Sequence, residues 1–162
     1  MLPGTIDSPY LGFILNIENK FVSISCDNDA GGSCILDGTD QYRVVMIADI
    51  LENGGTTTLS GLIIKNGFVN AGAGGGLWVI SATVDLIVTS FVDNTASSYS
   101  YGGAIWVAGG TVKLQGCAFS GNEASGGSGS DIYNAEGGCP LIGLPSSLRG
   151  DPRSGPQQQQ RR

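Results

Sequence analysis

Val84-Asp85-Leu86-Ile87-Val88-Thr89-Ser90-Phe91-Val92-Asp93-Asn94 is answered 28 residues later by Val112-Lys113-Leu114-Gln115-Gly116-Cys117-Ala118-Phe119-Ser120-Gly121-Asn122. Leu falls on Leu, Phe on Phe and Asn on Asn. Upstream of the pair by 27 residues, Thr57-Thr58-Leu59-Ser60-Gly61-Leu62-Ile63-Ile64 keeps Leu59 and Ile64 at the same offsets. A second series runs between these segments: Gly74-Gly75-Gly76-Leu77-Trp78-Val79, Gly102-Gly103-Ala104-Ile105-Trp106-Val107 and Gly129-Ser130-Asp131-Ile132-Tyr133-Asn134, spaced by 28 and then 27. Two registers that drift together by one residue mark a true repeat with variable loops.

Each repeat holds short, β-rich apolar runs bounded by Gly, Asn and Ser. The period is too long for a hairpin meander and contains no helical segment for a βαβ unit. Leucine-rich repeats share the length but not the Leu-x-x-Leu-x-Leu spacing. What remains is a coil of strands and turns stacked on the next coil, an all-β, single-stranded parallel β-helix. Stacked coils lie ~4.8 Å apart, so equivalent residues form ladders. The N-terminal third reads as earlier, less regular coils: Ile14 to Ile17, Phe21 to Ser25, Cys34 to Leu36 and Arg43 to Ile50 are apolar runs, and Asp27-Asn28-Asp29, Gly31-Gly32 and Asp37-Gly38 are turns. About five coils are expected over residues 10–137, within a β-helix domain spanning 1–139. The Pro, Gly, Gln and Arg composition of 140–162 predicts a disordered tail.

Composition fits this reading. The chain has 162 residues, enough for one domain. Gly accounts for 27 of them without a collagen period, which argues against an all-α protein. His is absent, which removes every mechanism needing a His base, nucleophile or metal ligand. Residues 1–148 carry four basic residues against thirteen acids, a net charge of −9. Such a surface repels nucleic acid, anionic lipid and polyanionic sugars, and leaves open a neutral glycan, a protein or a calcium-bridged partner. No apolar stretch is long enough to span a membrane. The N-terminus, Met-Leu-Pro-Gly-Thr-Ile-Asp-Ser, shows no signal peptide, so the chain reads either as intracellular or as a fragment whose export signal lies elsewhere. Cys26 and Cys34 sit eight apart and fit either a disulfide or two buried thiols. The states of Cys117 and Cys139 are equally open, and no C-x-x-C pair supports zinc.

Gly102-Gly103-Ala104-Ile105, with Phe91-Val92-Asp93-Asn94 and Phe119-Ser120-Gly121-Asn122, resembles the Gly-Gly-Ala-Ile and Phe-x-x-Asn repeats of the chlamydial polymorphic outer membrane proteins and related β-helix repeat proteins. The resemblance covers about residues 56–137. It implies a right-handed, pectin-lyase-like solenoid and a surface-exposed passenger domain used in adhesion, with an extracellular or outer-membrane location. It departs from that family in showing no β-barrel translocator and only about two clear repeats.

Strand alternation locates a candidate site. With Leu77, Ile105 and Ile132 inward, Trp78, Trp106 and Tyr133 point outward, one ring per coil. Such a stripe suits sugar rings or a protein surface. The alternatives are a loop covering the stripe, or rings filling the core. Leu86, Leu114, Phe91 and Phe119 are core positions, and the parity break between Leu and Phe requires a bend or bulge. Asn94 and Asn122 form an Asn ladder at a turn. Asp85 and Lys113 occupy matching positions and form a surface ion pair.

No catalytic or metal residues are assigned. The cationic residues of the body are spread over different coils, unlike the clustered acids and bases of polysaccharide lyases, hydrolases and epimerases. Calcium is the one cofactor with any signal. Gly126 to Asn134 matches a single calcium nonapeptide without a tandem neighbour, and Asp27 and Asp29 lack the remaining ligands. Thr56-Thr57-Thr58 lacks the regular ranks of an ice-binding face, and Arg149-Gly150-Asp151 is a lone integrin-type tripeptide. The expected function is a non-catalytic module for adhesion or for glycan or protein recognition, part of a longer solenoid. The alternatives are a fragment of a polysaccharide-processing enzyme and a structural spacer. Open solenoid ends predict end-to-end self-association.

Overall fold

A computed structural model describes residues 12–26, 33–98, 100–125 and 129–135, and the backbone of 141–142. The first turn comprises β1 (Phe13–Glu18), β2 (Ser23–Ser25) and β3 (Cys34–Asp37). The second holds β4 (Arg43–Ala48), β5 (Thr56–Ser60), β6 (Leu62–Lys65) and β7 (Phe68–Val69). In the third, β8 (Leu77–Ile87) leads to β9 (Ser90–Val92) and β10 (Thr95–Ala96). The fourth repeats this with β11 (Ile105–Gln115), β12 (Ala118–Ser120) and β13 (Glu123–Ala124). Then β14 (Ile132–Asn134) and β15 (Leu141–Ile142) open a fifth.

Every pairing is parallel, between a strand and its equivalent one turn on. The large sheet orders β1-β4-β8-β11-β14, with β2-β5 continuing onto β8 and β15 lying on β11; β3-β6-β9-β12 and β7-β10-β13 make the other two. The chain is a parallel β-helix. It has about four turns rather than five. The four apolar runs before residue 50 serve only the first turn and the start of the second, because both turns carry insertions. β15 lies just beyond the expected domain boundary at 139, and residues 143–162 fall outside the described part of the chain.

The register is the one the repeats dictate. Leu59 pairs with Leu86, and Leu86 with Leu114. Leu77 pairs with Ile105, and Ile105 with Ile132. These side chains are buried and form one continuous core. Phe91 lies inside it, and the partly buried Phe119 stacks on Phe91 with parallel rings 5.3 Å apart.

The parity break between Leu and Phe is a corner. Gly61, Val88 and Gly116 occupy it in successive turns, all with positive φ. Val88 is the costly member, since a β-branched side chain seldom adopts this conformation. Each turn bonds to the next there: the Gly61 N–H donates to Ile87 O and the Val88 N–H to Gln115 O.

The first turn fills this corner differently. Ser25 pairs with Ser60 and Cys34 with Leu62, so Cys26 and Cys34 stand where Gly61 and Leu62 are chain neighbours. An insertion is spliced into the corner, and a Cys26–Cys34 disulfide closes its base with the Cα atoms 5.7 Å apart. A second insertion lies in turn two. Ala48 pairs with Ile80 and Thr56 with Thr83, so residues 49–55 replace the two residues Ser81 and Ala82. Buried Asp49 organises that loop by accepting the Asn53 and Gly54 N–H groups. The loop carries Ile50 and Leu51, both exposed.

Candidate functional site

Met46, Trp78, Trp106 and Tyr133 stand in one outward column across β4, β8, β11 and β14. Their strand neighbours Leu77, Ile105 and Ile132 are buried, so the alternation leaves both tryptophans and Tyr133 on the outer side. All three are half-buried rather than free-standing. The Trp78 and Trp106 rings stack on each other with centroids 5.5 Å apart. Phe13 extends the stack, tilted against Trp78 at 6.4 Å. Tyr133 does not join it. Its ring stacks on Tyr101 at 4.5 Å. The three rings named from the sequence are therefore divided between two stacked sets.

Part of the cover comes from the turns that enter β8, β11 and β14. Gly74, Gly102 and Gly129 begin these turns with positive φ. A Cβ on Gly74 would collide with the Leu77 carbonyl and stand 3.2 Å from the Trp106 Cβ. The Gly-Gly motif thus lets the chain turn tightly beside the indoles. Both indole Nε1–H groups are buried with no acceptor among the described residues. What each tryptophan offers to solvent is the remainder of its ring.

Arg43, one of the dispersed cations of the sequence, joins the rings on this face. It begins β4 and is only 8% exposed. Its Nε–H is shared between the carbonyls of Ala73 and Gly74, at 3.0 and 2.8 Å. The guanidinium carbon lies 5.0 Å from the Phe13 ring centroid and 4.6 Å from that of Trp78, a double cation–π contact. No carboxylate pairs with it among the described residues. Burial pushes its pKa down to about 10, which leaves it charged at neutral pH. The available signal was positional. The register sets Arg43 where the next turns have Gly75 and Gly103, so a long cation occupies a glycine position.

The Asn ladder is present. Asn94 is wholly buried; its Oδ1 accepts the Gly67 N–H, and its Nδ2 donates to Ile64 O and to Asn122 Oδ1. Asn122 Nδ2 donates to Phe91 O and to Asp131 Oδ1. Asp131 is the acidic residue of the nonapeptide match, and here it caps the ladder. Among the described residues no cluster of three or more acidic or thiol side chains is placed to hold a metal. Asp27, Asp29, Gly126 to Ser128, Cys139 and Arg149-Gly150-Asp151 lie outside the described residues.

Two ion pairs lie elsewhere among the described residues. Lys113 meets Asp85 at 3.6 Å, and Lys65 meets Asp37 at 3.2 Å. Burial pushes the Asp37 carboxyl up, but the Thr39 N–H, the Asn66 amide and Lys65 outweigh it and hold the group below its usual range. Cys117 is a buried free thiol bonded to Leu86 O, and burial raises its pKa, so it carries little thiolate. Beside the aromatic column Ala48, Ile80 and Ala108 align, and beyond them the same sheet face is polar: Thr56, Thr83 and Thr111 align, as do Thr58, Asp85 and Lys113.

The chain matches no family model, no curated protein and no solved structure.

Proposed function

We propose that this chain is a non-catalytic recognition module of a cell-surface or secreted β-helix, a segment of a longer solenoid that binds a glycan or protein along its outer face. The observation that carries this reading is the stacked Trp78–Trp106 pair on the outside of β8 and β11. The fold does not require aromatic rings there, because other outward columns of the same sheet are built from Ala and Ile, from Thr, and from Thr, Asp and Lys. Large rings at outward positions beside polar ones are the usual composition of a contact surface. The Cys26–Cys34 disulfide fits an oxidising compartment. The repeats resembling those of the chlamydial surface proteins point to an adhesive passenger. Their motif residues do structural work in this chain, since Gly102-Gly103 makes the turn, Phe91 and Phe119 fill the core, and Asn94 and Asn122 form the ladder. The resemblance therefore supports location and architecture more than any particular ligand.

A glycan array and a cell-surface binding assay, each run with wild type and Trp106→Ala, test the reading. Binding that drops about tenfold in the variant, with an unchanged β-sheet spectrum, supports it. Equal binding by both proteins removes the aromatic column as the contact.

A further inference from the structure

We infer that Arg43 is a carboxylate-binding point at the first-turn end of the aromatic column, a reading that rests on the proposed use of this outer face for recognition. A guanidinium has five N–H donors. At Arg43 only the Nε–H is used, on the carbonyls of Ala73 and Gly74. The four N–H donors of the two Nη atoms meet no acceptor among the described residues, and neither Nη is sealed from solvent. The Nε bonds and the Phe13 and Trp78 rings fix the plane of the group.

The result is a rigid, pre-aimed fork whose cation is largely withdrawn from water. Such a charge is poorly compensated by two neutral carbonyls and two ring quadrupoles, and it favours an anion that matches its geometry. A carboxylate meets the fork with two parallel bonds. Gly72 lies close against the fork, and only the missing side chain keeps Nη2 clear, since an added Cβ there would crowd it at 3.3 Å. The net charge of −9 over residues 1–148 selects a ligand with one carboxylate on an otherwise neutral frame over a densely charged polyanion.

The test is a titration of the full chain followed at the Arg43 Nε–H resonance by NMR. Methyl β-glucuronide is the probe, and methyl β-glucoside is its neutral counterpart. The expected result is a saturable shift with the glucuronide, binding about tenfold or more tighter than the glucoside, and acetate competing. Arg43→Lys keeps the charge and loses the fork, and should weaken binding about tenfold. If that variant does not fold, the wild-type comparison still decides. Three results overturn the inference: no shift with the glucuronide, equal binding of both glycosides, or equal binding of inorganic phosphate, which would make the site an adventitious ion site only. A silent Arg43 with Trp106→Ala still abolishing partner binding defeats this inference alone. The converse pattern defeats the use of the tryptophan column.

Discussion

Trp78 and Trp106 stack 5.5 Å apart across the β8–β11 pair, on the opposite side of the strands from Leu77 and Ile105. The sequence holds only these two tryptophans. Their stacking couples the two indole transitions, so circular dichroism should show an exciton couplet. Trp78→Phe and Trp106→Phe should each abolish the couplet and lower stability by about 1 kcal/mol. A couplet that survives either substitution contradicts the stacked arrangement.

Asn94 serves two neighbouring turns with one buried amide. Asn94→Ala strands the Gly67 N–H and the Ile64 carbonyl in the core, and should cost about 2–3 kcal/mol in urea unfolding. Asn94→Asp removes the donor and introduces a buried charge, so it should cost more. Asn122→Ala, at a half-buried position, should cost less. The reverse order would show that the ladder is not the anchor of this corner.

Cys26 and Cys34 clip the insertion in the first turn. Reduction, or the double substitution to Ser, should destabilise the protein by about 2–3 kcal/mol through the freed loop. The effect should be local. Hydrogen exchange should quicken across β2 and β5 while the β8–β11 pairing keeps its protection. Uniform quickening would show that the first turn is not a separable cap.

Asp37 links stability to acid. Its folded pKa is lowered, so its contribution is present above the unfolded value of about 4 and is lost as pH falls through the lower folded value. The stability difference between wild type and Asp37→Asn should therefore shrink as pH drops from about 5 to about 2. A difference that stays constant over that range would mean that the Lys65, Thr39 and Asn66 contacts do not favour the carboxylate.

The repeat made the third and fourth turns legible from the sequence. Leu86 and Leu114, Phe91 and Phe119, and Trp78 and Trp106 are set by a 28-residue spacing that transfers directly into parallel register. The Asn94–Asn122 ladder and the Asp85–Lys113 pair follow from the same spacing. The early turns were harder to read because insertions at Cys26–Cys34 and at residues 49–55 break the period without disturbing the stack. The ring partners were hidden for a different reason. Tyr101 lies in the turn before β11 and reaches Tyr133 across a neighbouring coil. Such contacts depend on where loops fold over the sheet, which the spacing of strand residues does not specify.

The stack itself is tested most directly by methyl NOEs on selectively labelled leucine. Strong contacts are expected from Leu59 to Leu86 and from Leu86 to Leu114, with none between Leu59 and Leu114, two turns apart. Absence of the Leu86–Leu114 contact, or a direct Leu59–Leu114 contact, would contradict a chain that winds once every 27 or 28 residues.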